Sequence, residues 1–562
     1  MHDITPRVEP GAAPDPAPGP APAGGRERIQ QLLQPANRLL SRVPWQWRLP
    51  LATALVCQLI FLFWWAAFYP ALMSFDSAAY VLQVTAGPWV DNYSVLYDAL
   101  VWLTLHLTGG LAALALAQTV VMSASFGYTV FAFRRLGIRG RWTAIAAVIA
   151  TALPPTGTFV IFIWKDVGFV ICLYLVVPTL AHLLSLREDP GWRRDRRVNW
   201  LIAALGAELL GAMLFRLDGF LAVAVAVIVM LIVVPGIRLR LMATTAAAAC
   251  VVALLTFFVY PAAGIQKPPA WEAYSIQYAD IAVAYSEQPW TFTAADLGVM
   301  ARAAPLATWR DTATCYDSDP TTSVLGPAAH AEPLSGQLMA LWIRVLQRTP
   351  NLILTARICR GSIAWSLFGG PARLRADTVT DPASIDPGLW GLAARPGMRH
   401  NPYRDALRTR PLSGTLNKVA LFLRSVSNTP QLDWLLWRGA FWCYLSYVAV
   451  YLFARRRRNW ALLSLGAIVA GQQLGIFADV PGQLFRYMAS PIFIGIVLVP
   501  LLFVRDGPAP QAQRQPPVTA AGPEPEGEPG DLLNADRGGH AQWRDSANQG
   551  AGIEVRDRGR SQ

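Results

Sequence analysis

Charged residues stand beside apolar runs in four short segments of a chain whose composition is 54% hydrophobic and 15% charged. An ionisable group in or near the hydrocarbon of a membrane is energetically costly, so it usually serves a function. The segments are SFDSAAY with Asp76, FIWKDVGF with Lys165 and Asp166, FRLDGF with Arg216 and Asp218, and FADVPGQLFRYM with Asp479, Arg486 and Tyr487. Together they offer a carboxylate that can accept a proton and cations that can bind an anion.

The carboxylates of the first segment are the candidate catalytic residues. Asp76 lies beside Phe75 and Tyr80, and a carboxylate placed there can deprotonate an acceptor hydroxyl as a general base. The alternative is that Asp76 is the N-cap of a helix that starts at Ser77. Asp91, further along, is a second candidate catalytic carboxylate, or a turn residue together with the asparagine that follows it.

Lys165 is unusual because arginine is the default cation of this chain. Of 48 basic residues, only Lys165, Lys267 and Lys418 are lysines. A lysine carries a compact point charge that arginine does not supply. We therefore interpret Lys165 as a phosphate-binding residue. The alternatives are that it pairs with Asp166 or extends its ammonium group to the membrane interface.

Arg216 and Arg486 are the other candidate ligands for a donor phosphate, because a guanidinium group can bind two phosphate oxygens at once. Supporting roles are assigned to the neighbours of these cations: Asp166, Asp218 and Tyr487. The alternative is that each arginine forms a structural ion pair with Asp218 or Asp479.

Long apolar runs must position these residues. About 20 apolar residues span a bilayer as a helix, and soluble domains carry about 25% charged residues, more than this chain does. The runs lie near residues 49–73, 111–133, 142–163, 167–186, 199–215, 219–236, 241–261, 434–454, 460–478 and 487–504. They predict an all-α polytopic membrane protein with about ten transmembrane helices.

Arginine clusters between the runs predict the orientation. They lie at residues 42–48, 134–141, 187–197, 238–240 and 455–458. With ten spans and cytoplasmic termini, every cluster is cytoplasmic, as the positive-inside rule expects. The net charge of +12 is thereby explained without a nucleic-acid partner. The same topology places all the candidate residues outside and makes segment 94–108 a helix in the outer interface. The expected location is a bacterial inner membrane.

The chain then divides into five predicted regions. A disordered cytoplasmic tail covers residues 1–48, and a module of seven spans covers 49–261 with a first outer loop at 74–110. An extracytoplasmic loop region covers 262–433 and contains an amphipathic, helix-like stretch. A three-span module covers 434–505, and residues 506–562 form a second disordered tail, rich in proline, glycine and charged residues.

The cysteines predict one disulfide and no metal site. Four of the six cysteines fall within predicted spans, whereas Cys315 and Cys359 lie in the large outer region. An oxidising compartment allows these two to pair; the alternative is two independent thiols. The histidines are scattered and no HExxH or P-loop motif is present, so no cofactor is indicated, and a divalent metal stays open. The string DSD at residues 317–319 is interpreted as a turn before Pro320.

The order and common side of these motifs resemble the GT-C superfamily of multi-pass glycosyltransferases, particularly its poorly characterised bacterial members. The resemblance rests on SFDS, the interfacial helix, WKDVGF, LFRLDGF and LFRYMASP, and covers about residues 49–505. It implies transfer of a sugar from a polyprenyl-phosphate donor to an extracytoplasmic glycan, lipid or protein acceptor, with inversion. It also implies that Asp76 is the general base. The chain departs from the many relatives that have two adjacent carboxylates in the first loop.

Two other functions remain open from the sequence. A transporter or lipid flippase would place charges near the bilayer midplane, in broken helices and inverted repeats. A non-enzymatic envelope-assembly protein would not bring the outer turns together around one cavity.

Overall fold

The computed structural model describes residues 44–92, 94–188, 191–325, 332–368 and 398–504. In these ranges the chain forms helices joined by turns, with three isolated β-bridges. This confirms the predicted all-helical class. The predicted tails lie outside the described residues, except that the first helix already begins at Trp45.

Seven helices in the described ranges are long and apolar enough to cross a membrane, so the chain is a helical polytopic membrane protein. They are Trp45–Ala67, Ala112–Arg135, Lys165–Ser185, Arg196–Phe215, Arg238–Ala262, Trp460–Ala478 and Phe485–Phe503. Each corresponds to one of the ten predicted runs. The other three runs form different structures.

The run predicted at 142–163 is broken. It forms helices Gly140–Ala152 and Pro154–Phe159, because Pro154 cannot continue the first helix. An extended segment follows, in which Ile163 N–H donates to Leu72 O at 3.0 Å. The run at 219–236 forms the 15-residue helix Gly219–Val233, about 22 Å long. The run at 434–454 forms Asp433–Leu436 and Ala440–Arg457. The count of ten spans therefore stays a prediction.

Close packing lets the short helix Gly219–Val233 lie among the seven membrane-spanning helices, which together are called the helix body. A Cβ atom on Gly471 would lie 2.1 Å from the carbonyl oxygen of Ala222. Only glycine therefore permits this approach between Gly219–Val233 and helix Ala467–Ala478. The main core around these helices is built from aromatic and aliphatic side chains, including Phe126, Tyr174 and Phe493.

Residues of the predicted 262–433 loop form a helical region with its own core. The helices of this region are Ala270–Ala273, Ser275–Glu287, Ala294–Ala303, Leu306–Asp311, Asp319–Val324, Glu332–Arg348 and Pro350–Arg360. Helices Ser362–Trp365 and Gly414–Ser427 of the same predicted loop pack into the main core instead. The core of the region itself contains Tyr278, Trp309 and Leu338. The fully buried carboxylate of Asp280 accepts from Arg357 Nε at 2.8 Å and Arg360 Nη1 at 2.9 Å. This network and the disulfide described below hold the region together.

The segment predicted as the first outer loop forms helices Phe75–Ala86 and Val95–Thr108. Tyr97 and Val101 of the second helix are buried, whereas Trp102, Leu103 and Leu107 are exposed. An apolar exposed face is expected of a helix that lies in a membrane interface.

Candidate functional site

The candidate residues gather at one end of the helix body. Helices Lys165–Ser185 and Phe485–Leu498 begin there, and helix Arg196–Phe215 ends there. The arginine clusters lie at the opposite ends of the same helices. At that opposite end Arg456 Nη1 donates to Leu502 O at 2.6 Å, and Arg240 Nη2 donates to Arg193 O at 2.9 Å. The helix body therefore has one end with acidic and basic residues and one end rich in arginine.

A serine-capped turn positions Asp76. Ser74 is the N-cap of helix Phe75–Ala86, and its Oγ accepts from Asp76 N–H at 3.2 Å. Trp164 Nε1 donates to the same Oγ at 2.6 Å, and Ser77 Oγ donates to Ile163 O at 2.9 Å. The alternative that Asp76 itself caps a helix starting at Ser77 is therefore wrong. Because Ser74 caps the helix, the Asp76 side chain is available to contact another part of the chain.

The Asp76 side chain contacts the turn that carries Arg486. Arg486 Nη1 donates to Asp76 Oδ2, and it lies 4.0 Å from Asp166 Oδ2. The two residues of the pair are 410 positions apart in sequence, so the contact joins the start of helix Phe75–Ala86 to the start of helix Phe485–Leu498. Their side chains are 20% and 17% exposed, for Asp76 and Arg486 respectively. The pair thus lies at the edge of the buried cluster, where a substrate can reach it.

Arg216 continues the chain of opposite charges. Its Nη1 donates to Asp166 Oδ1, while its Nε and Nη2 bind the two carboxylate oxygens of Asp218 at 2.9 and 2.6 Å. The predicted partner Asp218 is therefore present, but Asp166 is a second one. The Tyr487 ring contacts both guanidinium groups, with its centroid 4.8 Å from Arg216 Cζ and 5.2 Å from Arg486 Cζ. Such cation–π contacts stabilise two like charges close together.

Lys165 faces the first outer loop. Its Nζ donates to Asn92 O at 3.1 Å, and Asn92 Nδ2 donates to Glu272 Oε2 at 2.6 Å. Asp91 is buried beside it, and burial raises the pKa of Asp91 to about 6 although the charge of Lys165 opposes the rise. Asp91 N–H also donates to Gln266 O at 2.8 Å. Lys165 therefore contacts the loop at Asp91 and Asn92, and residues of the predicted 262–433 loop hold that loop in place.

Asp98 was missed by the sequence analysis. It is fully buried in helix Val95–Thr108, and its Oδ2 accepts from Gln83 Nε2 at 2.8 Å. Burial raises the pKa of Asp98 to about 8; the nearby Lys165 lowers it and Asp91 raises it. Asp98 therefore holds a proton near neutral pH. A single carboxylate within an apolar helix was the signal that could have identified it.

The sequence analysis also did not predict that the DSD segment lies close to the candidate site. It forms the predicted turn, because Asp317 Oδ1 accepts from Asp319 N–H at 3.1 Å. It also pairs with the turn before Arg486, since Ser318 N–H donates to Pro481 O at 2.8 Å. Burial and Asp317 raise the pKa of Asp319 to about 6, and the charge of Arg486 opposes the rise. These carboxylates therefore belong to the electrostatic surroundings of the candidate site.

A disulfide anchors this segment. Cys315 and Cys359 are bonded, with Cα atoms 5.7 Å apart. Gln483 Nε2 donates to Cys359 O at 2.9 Å, and Gln483 N–H donates to Tyr316 O at 3.2 Å. The two cysteines that the sequence analysis paired thus hold the DSD segment and the Arg486 turn against helix Pro350–Arg360. Within the part of the chain that the structure describes, no group of three His, Cys, Asp or Glu side chains is arranged to hold a metal ion.

Comparisons with known proteins leave the site to be interpreted from its own chemistry. No protein-family model, curated protein or solved structure matches the chain. The arrangement that needs interpretation is a set of three carboxylates, Asp76, Asp166 and Asp218, interleaved with three cations. It can bind an anion and, through Asp76, take up a proton.

Proposed function

We propose that this protein is an integral-membrane glycosyltransferase that moves a sugar from a polyprenyl-phosphate donor to an extracytoplasmic acceptor. The observation that carries the proposal is the meeting of Asp76 with Arg486, Arg216 and Lys165 at one end of the helix body. A lipid-linked donor fits this position, because its apolar tail can stay in the bilayer while its phosphate reaches the ends of the helices. The resemblance to the GT-C superfamily points to the same reaction.

The cations suit the leaving group. Arg486 Nε is buried without a hydrogen-bond partner in the described structure, and an unsatisfied buried donor of a charged group is costly. A donor phosphate would satisfy it. Lys165 and Arg216 add positive charge where the phosphate develops its negative charge as the sugar departs, which is the electrostatic stabilisation that enzymes use most.

Asp76 suits the proton transfer. In the structure its carboxylate accepts from Arg486, the cation that the phosphate would bind. Binding of the donor would therefore turn Arg486 toward the phosphate and release Asp76 to accept a hydrogen bond from the acceptor. Its partial exposure, 20% of the side chain, allows an acceptor to approach. The buried Asp166 and the partly exposed Asp218 would keep Arg216 in place while Arg486 changes partner.

The reaction balances without a further reagent. The acceptor hydroxyl gives its proton to the Asp76 carboxylate, and its oxygen forms a bond to the anomeric carbon. The bond from that carbon to the phosphate oxygen breaks, and its electron pair leaves with the lipid phosphate. Displacement in one step inverts the anomeric centre. Asp91 is the second candidate carboxylate; its position beside Lys165 suits tuning of that cation.

A transporter or lipid flippase is the second candidate, and one observation favours it. The segment that leads to Lys165 is a broken helix, Gly140–Ala152 followed by Pro154–Phe159, and broken helices mark the binding sites of many transporters. Such a protein would bind the lipid phosphate and move it, without transferring the sugar.

Sugar transfer by the purified protein tests the proposal. The protein is incubated with a panel of polyprenyl-phosphate sugars and a mixture of envelope acceptors, and released polyprenyl phosphate is measured. We expect release with at least one donor and none with Asp76→Ala. Donor binding and movement across vesicles without release of polyprenyl phosphate would contradict the proposal and support the transporter.

A further inference from the structure

A groove of about 650 Å³ lies between helices Arg196–Phe215 and Arg238–Leu254, away from the candidate site. Its volume falls within the range of about 300–1,000 Å³ that ligand sites occupy. Small side chains form its walls, among them Ala203 and Ala207 on one helix and Ala243 on the other. These alanines are exposed, so the groove opens toward the surroundings of the helices.

The helices touch along the floor of the groove. A Cβ atom on Gly206 would lie 2.1 Å from Cγ2 of Thr244, so glycine is needed for the contact. The two helices run in the same direction, because Arg240 near the start of one helix donates to the carbonyl oxygen of Arg193, just before the start of the other. The contact makes the groove a fixed feature of the helix pair.

The length of the groove matches one leaflet of a bilayer. Its lining extends from residue 199 to 210 on one helix and from 240 to 251 on the other. Eleven steps at 1.5 Å per residue give about 16 Å. Half of a hydrocarbon core that is about 30 Å thick is about 15 Å. An extended acyl chain of a lipid in one leaflet would therefore lie along the whole groove.

The charge at one end of the groove indicates which lipid. Arg240 lines that end, and Arg193, Arg194 and Arg238 are exposed nearby in the chain, with Arg240 Nη2 bonded to Arg193 O at 2.9 Å. A guanidinium group has five N–H donors, so the arginines keep donors for a phosphate. Basic pockets between membrane helices typically bind anionic lipid head groups.

We propose that this groove is a binding site for an anionic phospholipid, with one acyl chain between the two helices and the phosphate at Arg240. The site lies at the arginine-rich end, opposite Asp76 and Arg486, so its occupant is a lipid of the other leaflet and not the sugar donor. The proposal does not depend on the proposed function. Loss of this site would leave sugar transfer chemistry intact at the other end.

Lipid titration of the full chain tests the proposal. The protein in detergent is titrated with phosphatidylglycerol or with phosphatidylcholine, and bound lipid is counted by native mass spectrometry. An arginine near a lipid phosphate contributes about fivefold in affinity. We therefore expect Arg240→Gln to weaken phosphatidylglycerol binding about fivefold. Arg455→Gln, which changes an exposed arginine on another helix, should have no effect.

A second pair of variants tests the acyl-chain groove. Ala243→Leu places a larger side chain in the groove and should abolish the tight site, whereas Ala249→Leu, exposed on the same helix but outside the lining, should not. Equal binding of both lipids by the wild-type protein, or unchanged binding by Arg240→Gln and Ala243→Leu, would overturn the proposal. So would a wild-type dimer that Ala243→Leu dissociates without a change in lipid binding, because a second copy would then occupy the groove.

Discussion

Arginine is used differently at the two ends of the helix body. At one end Arg216 is buried and bonds two carboxylates, and Arg486 bonds Asp76. At the other end Arg194 and Arg455 are exposed, and Arg240 and Arg456 donate to backbone carbonyls. Exposed arginines add charge at little energetic cost, which suffices to orient a membrane protein. Buried ion pairs stabilise a fold weakly, so their presence at the first end points to a function.

The largest effect is expected from Asp76→Asn. Asparagine keeps the shape of the side chain but cannot accept the proton, and a general base typically contributes about 10²–10⁴-fold in rate. Turnover should fall by that factor while the unfolding temperature stays close to that of the wild type. Asp405→Asn changes an exposed aspartate and should leave turnover unaltered. Near-normal turnover of a folded Asp76→Asn protein would remove Asp76 from the mechanism.

Asp166→Ala and Asp195→Ala compare an ion pair at each end. Asp166 is buried and holds Arg216, so its removal leaves a buried charge and should lower the free energy of unfolding by about 3–5 kcal/mol. Asp195 pairs with the exposed Arg197 and caps helix Arg196–Phe215, so its loss should lower the free energy of unfolding much less. Denaturant unfolding in detergent measures both. Equal losses would mean that the two ends do not differ as described.

The disulfide should matter at the first end only. Cys315 and Cys359 close a loop with a sequence separation of 44, and the chain-entropy model gives about 3–4 kcal/mol for such a loop. Cys315→Ser should therefore destabilise the outer region and slow turnover, because the Arg486 turn is bonded to both sides of the bridge. Cys250→Ser, at an exposed unbridged cysteine, is the control. Free thiols at 315 and 359 in protein from its native membrane would contradict the pairing.

Asp98 predicts a smaller, pH-dependent effect. Its pKa is raised from 3.8 to about 8, chiefly by burial. Between those values the folded protein binds a proton that the unfolded chain has lost, so this group makes stability fall as pH rises from about 4 to about 8. Asp98→Asn should flatten that dependence and should be relatively more stable at the alkaline end. Unfolding temperatures measured across this pH range check the slope. A variant as steep as the wild type would show that Asp98 is ionised when folded.

The sequence predicted the fold class and the common position of the site better than it predicted the contacts. Arginine clusters at alternate turns predict that Asp76, Lys165, Arg216 and Arg486 lie on one side. This prediction needs only a count of the spans along the chain and does not depend on how the helices pack. The bond from Arg486 to Asp76 joins turns 410 residues apart, and only packing of the intervening helices decides it. The local pattern therefore suggested Asp218 or Asp479 as partners instead.

The number of membrane spans shows a second limit of prediction from the sequence. Apolar runs of similar length became different structures at 142–163 and 167–186, because Pro154 divides the first whereas Lys165–Ser185 continues through Pro178 as one helix. For a related reason, Asp98 was missed and the DSD segment was interpreted only as a turn. The burial of Asp98 and the proximity of the DSD segment to Arg486 depend on how the predicted 262–433 loop packs on the rest of the chain. Hydrophobic periodicity carries no information about such long-range contacts.

We propose that the two ends of the helix body lie on opposite sides of the membrane, with the Asp76–Arg486 end outside. Single cysteines at exposed positions test it directly in a chain that keeps its disulfide but has its four free cysteines replaced. They are Asp405→Cys near the first end, and Arg194→Cys and Arg455→Cys at the arginine-rich end. In intact cells an impermeant thiol reagent should label position 405 and should reach 194 and 455 only after the cells are opened. Labelling of 194 or 455 from outside, with 405 protected, would contradict the account.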